Sequence, residues 1–136
     1  MRVNTVRDSK VLSAKKDDGT DYGNRVYLIH EDGFISMYGH LESIEVVDGQ
    51  KLKDGEEFGT IGDTGFCPSG AHLHYSLFAP NTKKLYASET IDPKEYLIQN
   101  GYPCKTIMTN PFGSPHCNPK LKGHEGIDFS SWRVKV

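Results

Sequence analysis

Two histidines stand one residue apart in the run His72-Leu73-His74. On a strand, residues two apart share a face. Both imidazoles then point one way, while Leu73, Tyr75 and Leu77 point the other and suit a core. A pair of imidazoles on one face is a start for a metal site, because imidazole nitrogen is a good zinc ligand. The plain alternative is two surface histidines on a half-exposed strand. A second constellation is His124-Glu125-Gly126-Ile127-Asp128. It begins like the helical zinc motif His-Glu-x-x-His, but its fifth residue is Asp, and Gly126 weakens a helix. On a straight strand the backbones of His124 and Asp128 would lie roughly 13 Å apart, a long reach to one ion. A bend at Gly126 would close that gap, since glycine tolerates the dihedrals. The alternative is an ordinary turn entering a strand.

His40, in Tyr38-Gly39-His40-Leu41, is a third candidate, at the end of an expected strand. By itself it reads as a satisfied or solvated residue. Gly62-Asp63-Thr64-Gly65, with Ser69-Gly70 beyond it, could cradle phosphate, but no lysine follows at P-loop spacing. A tight turn or the wall of a cleft is the better reading. His30 and His116 have no partner visible in the sequence. The three cysteines, Cys67, Cys104 and Cys117, cannot all pair internally, and none forms a CxxC knot. A Cys104–Cys117 disulfide is open but not implied by spacing.

The elements that must carry these residues are short strands. Val6 to Ala14 is the first, broken by Asp17-Asp18-Gly19. Residues 25–38 read as a hairpin turning at Glu31-Asp32-Gly33. Ile44 to Val47, closed by Asp48-Gly49, and Phe58 to Ile61, closed by Gly62-Asp63, follow, and His72 to Phe78 is the last strong strand of this stretch. This spacing predicts an all-β fold, an antiparallel sandwich or barrel. One short helix is expected near 92–99, with Asp92 as cap, Pro93 in the first position and Asn100-Gly101 at the end. Residues 101–123, rich in Pro, Gly, Asn and Cys, read as an irregular connection or a boundary.

The chain has 136 residues, enough for one domain with one core. Its net charge of -2 gives no basic excess to hold nucleic acid or an anionic membrane. No apolar run approaches the roughly 20 residues that span a bilayer. Met1 to Lys10 is too polar for a signal peptide, so work outside a cell would need a removed signal, a larger parent chain or another release route.

Together these pieces resemble the lysostaphin-type, LytM-like zinc endopeptidases. Tyr22-Gly23-Asn24 to His40-Leu41 resembles that family's "YGN…V.I.H.DG….YGHL" segment. Val47 to Gly65 resembles its "V..G..V..G..IG..G.TG" segment, and Ser69 to Tyr75 its "TGPHLHFE" signature. Ile91-Asp92-Pro93 to Leu97 resembles its closing "DP…YL". Asn110-Pro111-Phe112-Gly113 with His124 to Asp128 resembles its opening "FG….H.GIDF". The resemblance implies a duplicated hybrid-motif β architecture, Zn2+ as cofactor, His74, His124 and Asp128 as ligands, and His40 and His72 as non-ligand catalytic histidines. It implies hydrolysis of peptide cross-links in bacterial peptidoglycan, by an extracellular, wall-associated or phage-virion protein.

The order of motifs departs from the family. The His-x-x-x-Asp segment opens the family's domain and comes last here. One peptidase domain over 1–136, permuted so that 105–136 supplies the first zinc motif, is the expectation. The alternatives are exchange of terminal segments between two chains or a piece spanning two tandem copies. A non-catalytic LytM-like module regulating another hydrolase is a competing function. A glucose-permease IIA-type phosphocarrier lacks the His-x-x-x-Asp segment, and a lipoyl or biotinyl carrier would need a lysine at its hairpin tip that is not evident.

Overall fold

A computed structural model describes residues 2–19, 22–64, 72–100, 108–110 and 126–129, with the backbone alone described for 108–110 and 127–129. Ten strands are present among these residues: β1 Arg2–Asn4, β2 Ser9–Lys15, β3 Arg25–His30, β4 Ile35–Gly39, β5 Leu41–Ile44, β6 Lys51–Leu52, β7 Glu57–Ile61, β8 Leu73–Phe78, β9 Met108–Asn110 and β10 Ile127–Phe129. A 3-10 turn, Ala87–Glu89, and one helix, α1 Lys94–Gln99, lie between β8 and β9.

Every pairing is antiparallel. One sheet runs β1-β7-β5 and the other β6-β2-β3-β4-β8-β10-β9. Both feed one core. Val3, Leu41 and Phe58 come from the small sheet, and Val11, Val26, Leu28, Tyr38, Leu73, Tyr75 and Leu77 from the large one. The Tyr38 ring meets Phe58 edge-on at 4.8 Å and Tyr75 at 5.0 Å, so aromatic contacts tie the sheets together. Leu73, Tyr75 and Leu77 all face this core, as period-two patterning predicts. Each such leucine contributes about 1.5–3 kcal/mol by leaving water.

The 25–38 hairpin is present as β3 and β4. Gly33 turns it at φ 90°, and a Cβ there would lie 3.2 Å from Pro80 Cβ. The strand expected at Val6 to Ala14 is present as β2, starting later at Ser9, and β1 precedes it as a strand not expected from the sequence. Thr5 Oγ1 donates to the Arg7 carbonyl and bonds Ser9 Oγ, while Asn4 Nδ2 donates to the Thr5 carbonyl. These local bonds break the ladder, and the chain crosses from the small sheet to the large one between β1 and β2. The strand expected at Ile44 to Val47 lies earlier, as β5, because the chain turns where Gln50 N–H donates to the Val47 carbonyl. Helix α1 starts one residue later than expected. Pro93 is its N-cap, and Asp92 Oδ1 accepts from Lys94 N–H at 3.0 Å.

The last described strands decide the layout of the site. β10 pairs with β8, and β9 with β10. Strand β8 is thereby flanked on both sides and buried along its whole length.

Candidate active site

The geometry starts at the corner between β4 and β5. His40 is the single residue between them, at φ 61°. A left-handed conformation costs a non-glycine residue roughly 1–2 kcal/mol, so its surroundings must hold it. His40 N–H donates to the Tyr22 carbonyl at 2.7 Å, and Leu41 N–H to the Asn24 carbonyl at 3.0 Å. Asn24 Nδ2 and Thr64 Oγ1 both donate to the Leu41 carbonyl, at 2.8 and 2.9 Å. The His40 ring itself donates from Nδ1 to the Thr64 carbonyl at 2.6 Å. A carbonyl can only accept, so a neutral His40 ring carries its proton on Nδ1 and its lone pair on Nε2.

His72 enters from the other sheet junction. It bridges Gly62, with His72 N–H donating to the Gly62 carbonyl at 3.1 Å. A Cβ on Gly62 would lie 2.5 Å from Glu42 N, so only glycine permits this close approach. The His72 and His40 rings end up 4.5 Å apart. His74 follows on β8 and meets the His40 ring edge-on at 6.0 Å. Tyr22 lies against His74, with ring centroids 4.8 Å apart. This contact depends on Gly39, which is directly opposite His74 and whose missing Cβ would lie 3.3 Å from Tyr22 Cβ.

Exposure is 5% for His40, 8% for His72 and 1% for His74. The surface-histidine reading of the His-x-His pair fails on these numbers. Ile35, Met37 and Phe78, with Tyr22, Tyr27, Ile29 and Leu85 packed on them, form a second apolar cluster. It lies on the large sheet's other face, the one that carries His74, since Met37 is opposite Ser76 and Gly39 opposite His74.

Asp128 stands opposite His74 in the β8–β10 register, and opposite Asn110 in the β9–β10 register. Asn110, Asp128, His74 and Gly39 thus form one row across four strands. The chain bends at Gly126, immediately before β10. His124 lies outside the described residues, as do Cys67, Cys104, Cys117, His116 and Glu125. Among the described residues no three His, Cys, Asp or Glu side chains form a complete metal cage.

His30 is a satisfied core histidine outside the site: its Nε2 bonds Ser36 Oγ at 2.6 Å, and its ring lies 5.9 Å from Tyr96. Burial pushes its pKa down to about 4. The Tyr75 phenol in the same core is pushed up, chiefly by burial and then by Tyr38. From the sequence, Tyr22 stands out only as the first residue of the family-like segment, and Thr64 only within a loop read as a tight turn or the wall of a cleft; the Tyr22 ring packs on His74, and the Thr64 carbonyl accepts from the His40 ring.

The model of peptidase family M23 matches residues 1–91, a span containing His40, His72 and His74. The chain belongs to peptidase family M23. This M23 chain is 35% identical over 86 residues to the peptidoglycan DD-endopeptidase ShyC of Vibrio cholerae, covering 57% of the chain and 20% of ShyC. It is 31% identical over 78 residues to the murein hydrolase activator NlpD of Escherichia coli, covering 57% of the chain and 18% of NlpD. It therefore spans a fifth or less of either relative. Its fold is that of the catalytic domain of the antimicrobial peptidase lysostaphin from Staphylococcus simulans, at a TM-score of 0.65 and 27% identity, with 72% of this chain and 71% of that one covered. No described helix is long and apolar enough to cross a membrane.

Proposed function

We propose that this M23 chain is a zinc-dependent endopeptidase that hydrolyses peptide cross-links of bacterial peptidoglycan. The observation carrying this reading is the β8–β10 register. It brings Asp128 across from His74 while the His40 and His72 rings lie 4.5 Å apart beside them. An imidazole and a carboxylate on adjacent strands are the donor types zinc prefers, so the residues present fit the metal. His74, Asp128 and His124 would hold it. Zinc bound there supplies a Lewis acid that polarises the peptide carbonyl.

The chain's own groups do the rest. His40 Nε2, with its lone pair set by the Thr64 carbonyl, can accept a proton. The neutral ring of the His40–His72 pair takes a proton from the attacking water. A protonated ring in the pair donates a hydrogen bond to the oxygen that gains charge. The proton taken up passes to the leaving amine as the C–N bond breaks.

Closure within one permuted chain is part of the reading, supported by β10 pairing with β8 of the same chain. The wall as site of action comes from relatives named for peptidoglycan and murein. Similarity to NlpD favours a second reading, a module that activates another hydrolase.

Amine release from purified peptidoglycan, with and without a chelator, separates the two. Chelator-sensitive release that disappears in His40→Ala supports the peptidase. No release from several wall types overturns it in favour of the module. Size-exclusion light scattering on active protein tests closure: activity confined to dimers would mean that two chains exchange their tails.

A further inference from the structure

Ser76 lies two residues beyond His74 on β8 and shares its face. Both side chains are buried, each at 1% exposure. His74 Nε2 and Ser76 Oγ are 2.6 Å apart in a hydrogen bond. The bond involves one edge of the imidazole, and that edge is walled off as well. A Cβ built on Gly126 would lie 2.8 Å from His74 Nε2 and 2.8 Å from Ser76 Oγ, and would run into the Tyr75 carbonyl. The Gly126 backbone therefore fills the space beside Nε2. An ion bound to that nitrogen would need to sit roughly 2.0–2.1 Å from it, where serine oxygen and glycine backbone already stand.

We infer that Ser76 is a positioning residue for His74: its hydroxyl accepts the Nε2–H, fixes the ring's tautomer and orientation, and leaves Nδ1 as the donor to a metal. This rests on the zinc-peptidase reading but adds a residue to it. Metal-binding histidines generally donate their second ring N–H to an oxygen acceptor that sets the tautomer. Here that acceptor comes from the same strand. It needs no loop to close and is in place before any ion arrives. Gly126 has the complementary part. The segment carrying Asp128 can approach β8 because residue 126 has no side chain to strike the His74–Ser76 pair.

The test reads tautomer and metal affinity rather than turnover. Long-range 1H–15N spectra of the metal-free full chain should show His74 protonated on Nε2, and zinc should shift its Nδ1 signal. Ser76→Ala should erase the tautomer preference and weaken zinc binding by roughly 10- to 100-fold in chelator competition. Ser76→Thr, which keeps the hydroxyl, should restore both. A wild-type His74 protonated on Nδ1, or bound to zinc through Nε2, overturns the inference whatever the variants do. So does a Ser76→Ala chain with unchanged tautomer and zinc affinity, and that result leaves the peptidase reading standing. A wild-type chain that binds no zinc sinks the peptidase reading and the metal half of this inference with it; the metal-free spectra still decide the hydrogen bond.

Discussion

Asp128 on β10 is the register partner of His74 on β8. Directly opposed residues in an antiparallel pair lie on one face with Cβ atoms roughly 4.5–5.5 Å apart. A segment 54 positions later in the chain thus returns to the strand bearing the His-x-His pair.

Asp128→Asn keeps size and β-pairing while removing the charge. Zinc affinity in chelator competition should fall by more than the roughly 10- to 100-fold typical of losing an outer hydrogen-bond partner. Amine release should fall with it, while the melting temperature of the metal-free chain stays the same. An unchanged affinity would remove Asp128 from the ligand set.

His40→Asn separates chemistry from folding. Asparagine tolerates the left-handed backbone that His40 adopts at φ 61°. Stability in urea should change by less than about 1 kcal/mol. The rate should drop by roughly 100- to 10,000-fold, the usual worth of a positioned acid or base. A variant that keeps its rate excludes His40 from catalysis.

Gly126→Ala tests the close approach of the tail. The new Cβ would have to displace the Tyr75 carbonyl, His74 Nε2 or Ser76 Oγ. Overpacking of this kind costs about 1–3 kcal/mol, readable as a lower melting temperature. Zinc affinity should fall too, because β10 can no longer reach its register. A variant as stable as wild type would mean that Gly126 does not pack against β8.

His30 gives the core a pH dependence. Burial lowers its pKa from 6.5 to about 4, against a smaller upward pull from Asp32. A depressed histidine pKa means that the unfolded chain takes up the proton first as pH falls. No penalty exists above about pH 6.5. Stability is lost as pH drops from 6.5 toward 4, by at most about 3 kcal/mol. Urea melts across that window should show this slope in wild type and a flatter one in His30→Gln. Equal slopes would remove His30 as the cause.

The sequence carries the site's residue types more openly than its supports. His72 and His74 are legible because period two fixes their common face and puts Leu73, Tyr75 and Leu77 in the core. The hairpin around Gly33 is legible because its turn residues leave few options. The break between β1 and β2 is not, because Thr5, Ser9 and Asn4 look like ordinary strand-compatible polar residues until their side chains bond the backbone. Thr64 acts on His40 through its carbonyl, which every residue possesses. Ser76 is hidden for the same reason: a serine on a strand announces nothing. His30 looked solitary because Ser36 becomes its neighbour only once β3 and β4 pair.

The two sides of β8 differ in grip. β4 pairs with it from Ile35 to Gly39, while β10 pairs with it from Ile127 to Phe129. The longer seam holds five register pairs and the shorter one three. Backbone amides of β4 and β8 should therefore exchange with deuterated solvent far more slowly than those of β10. The molecule then behaves as a rigid anvil with a detachable clasp, and any ligand gripping both would be felt first as slower exchange in the clasp.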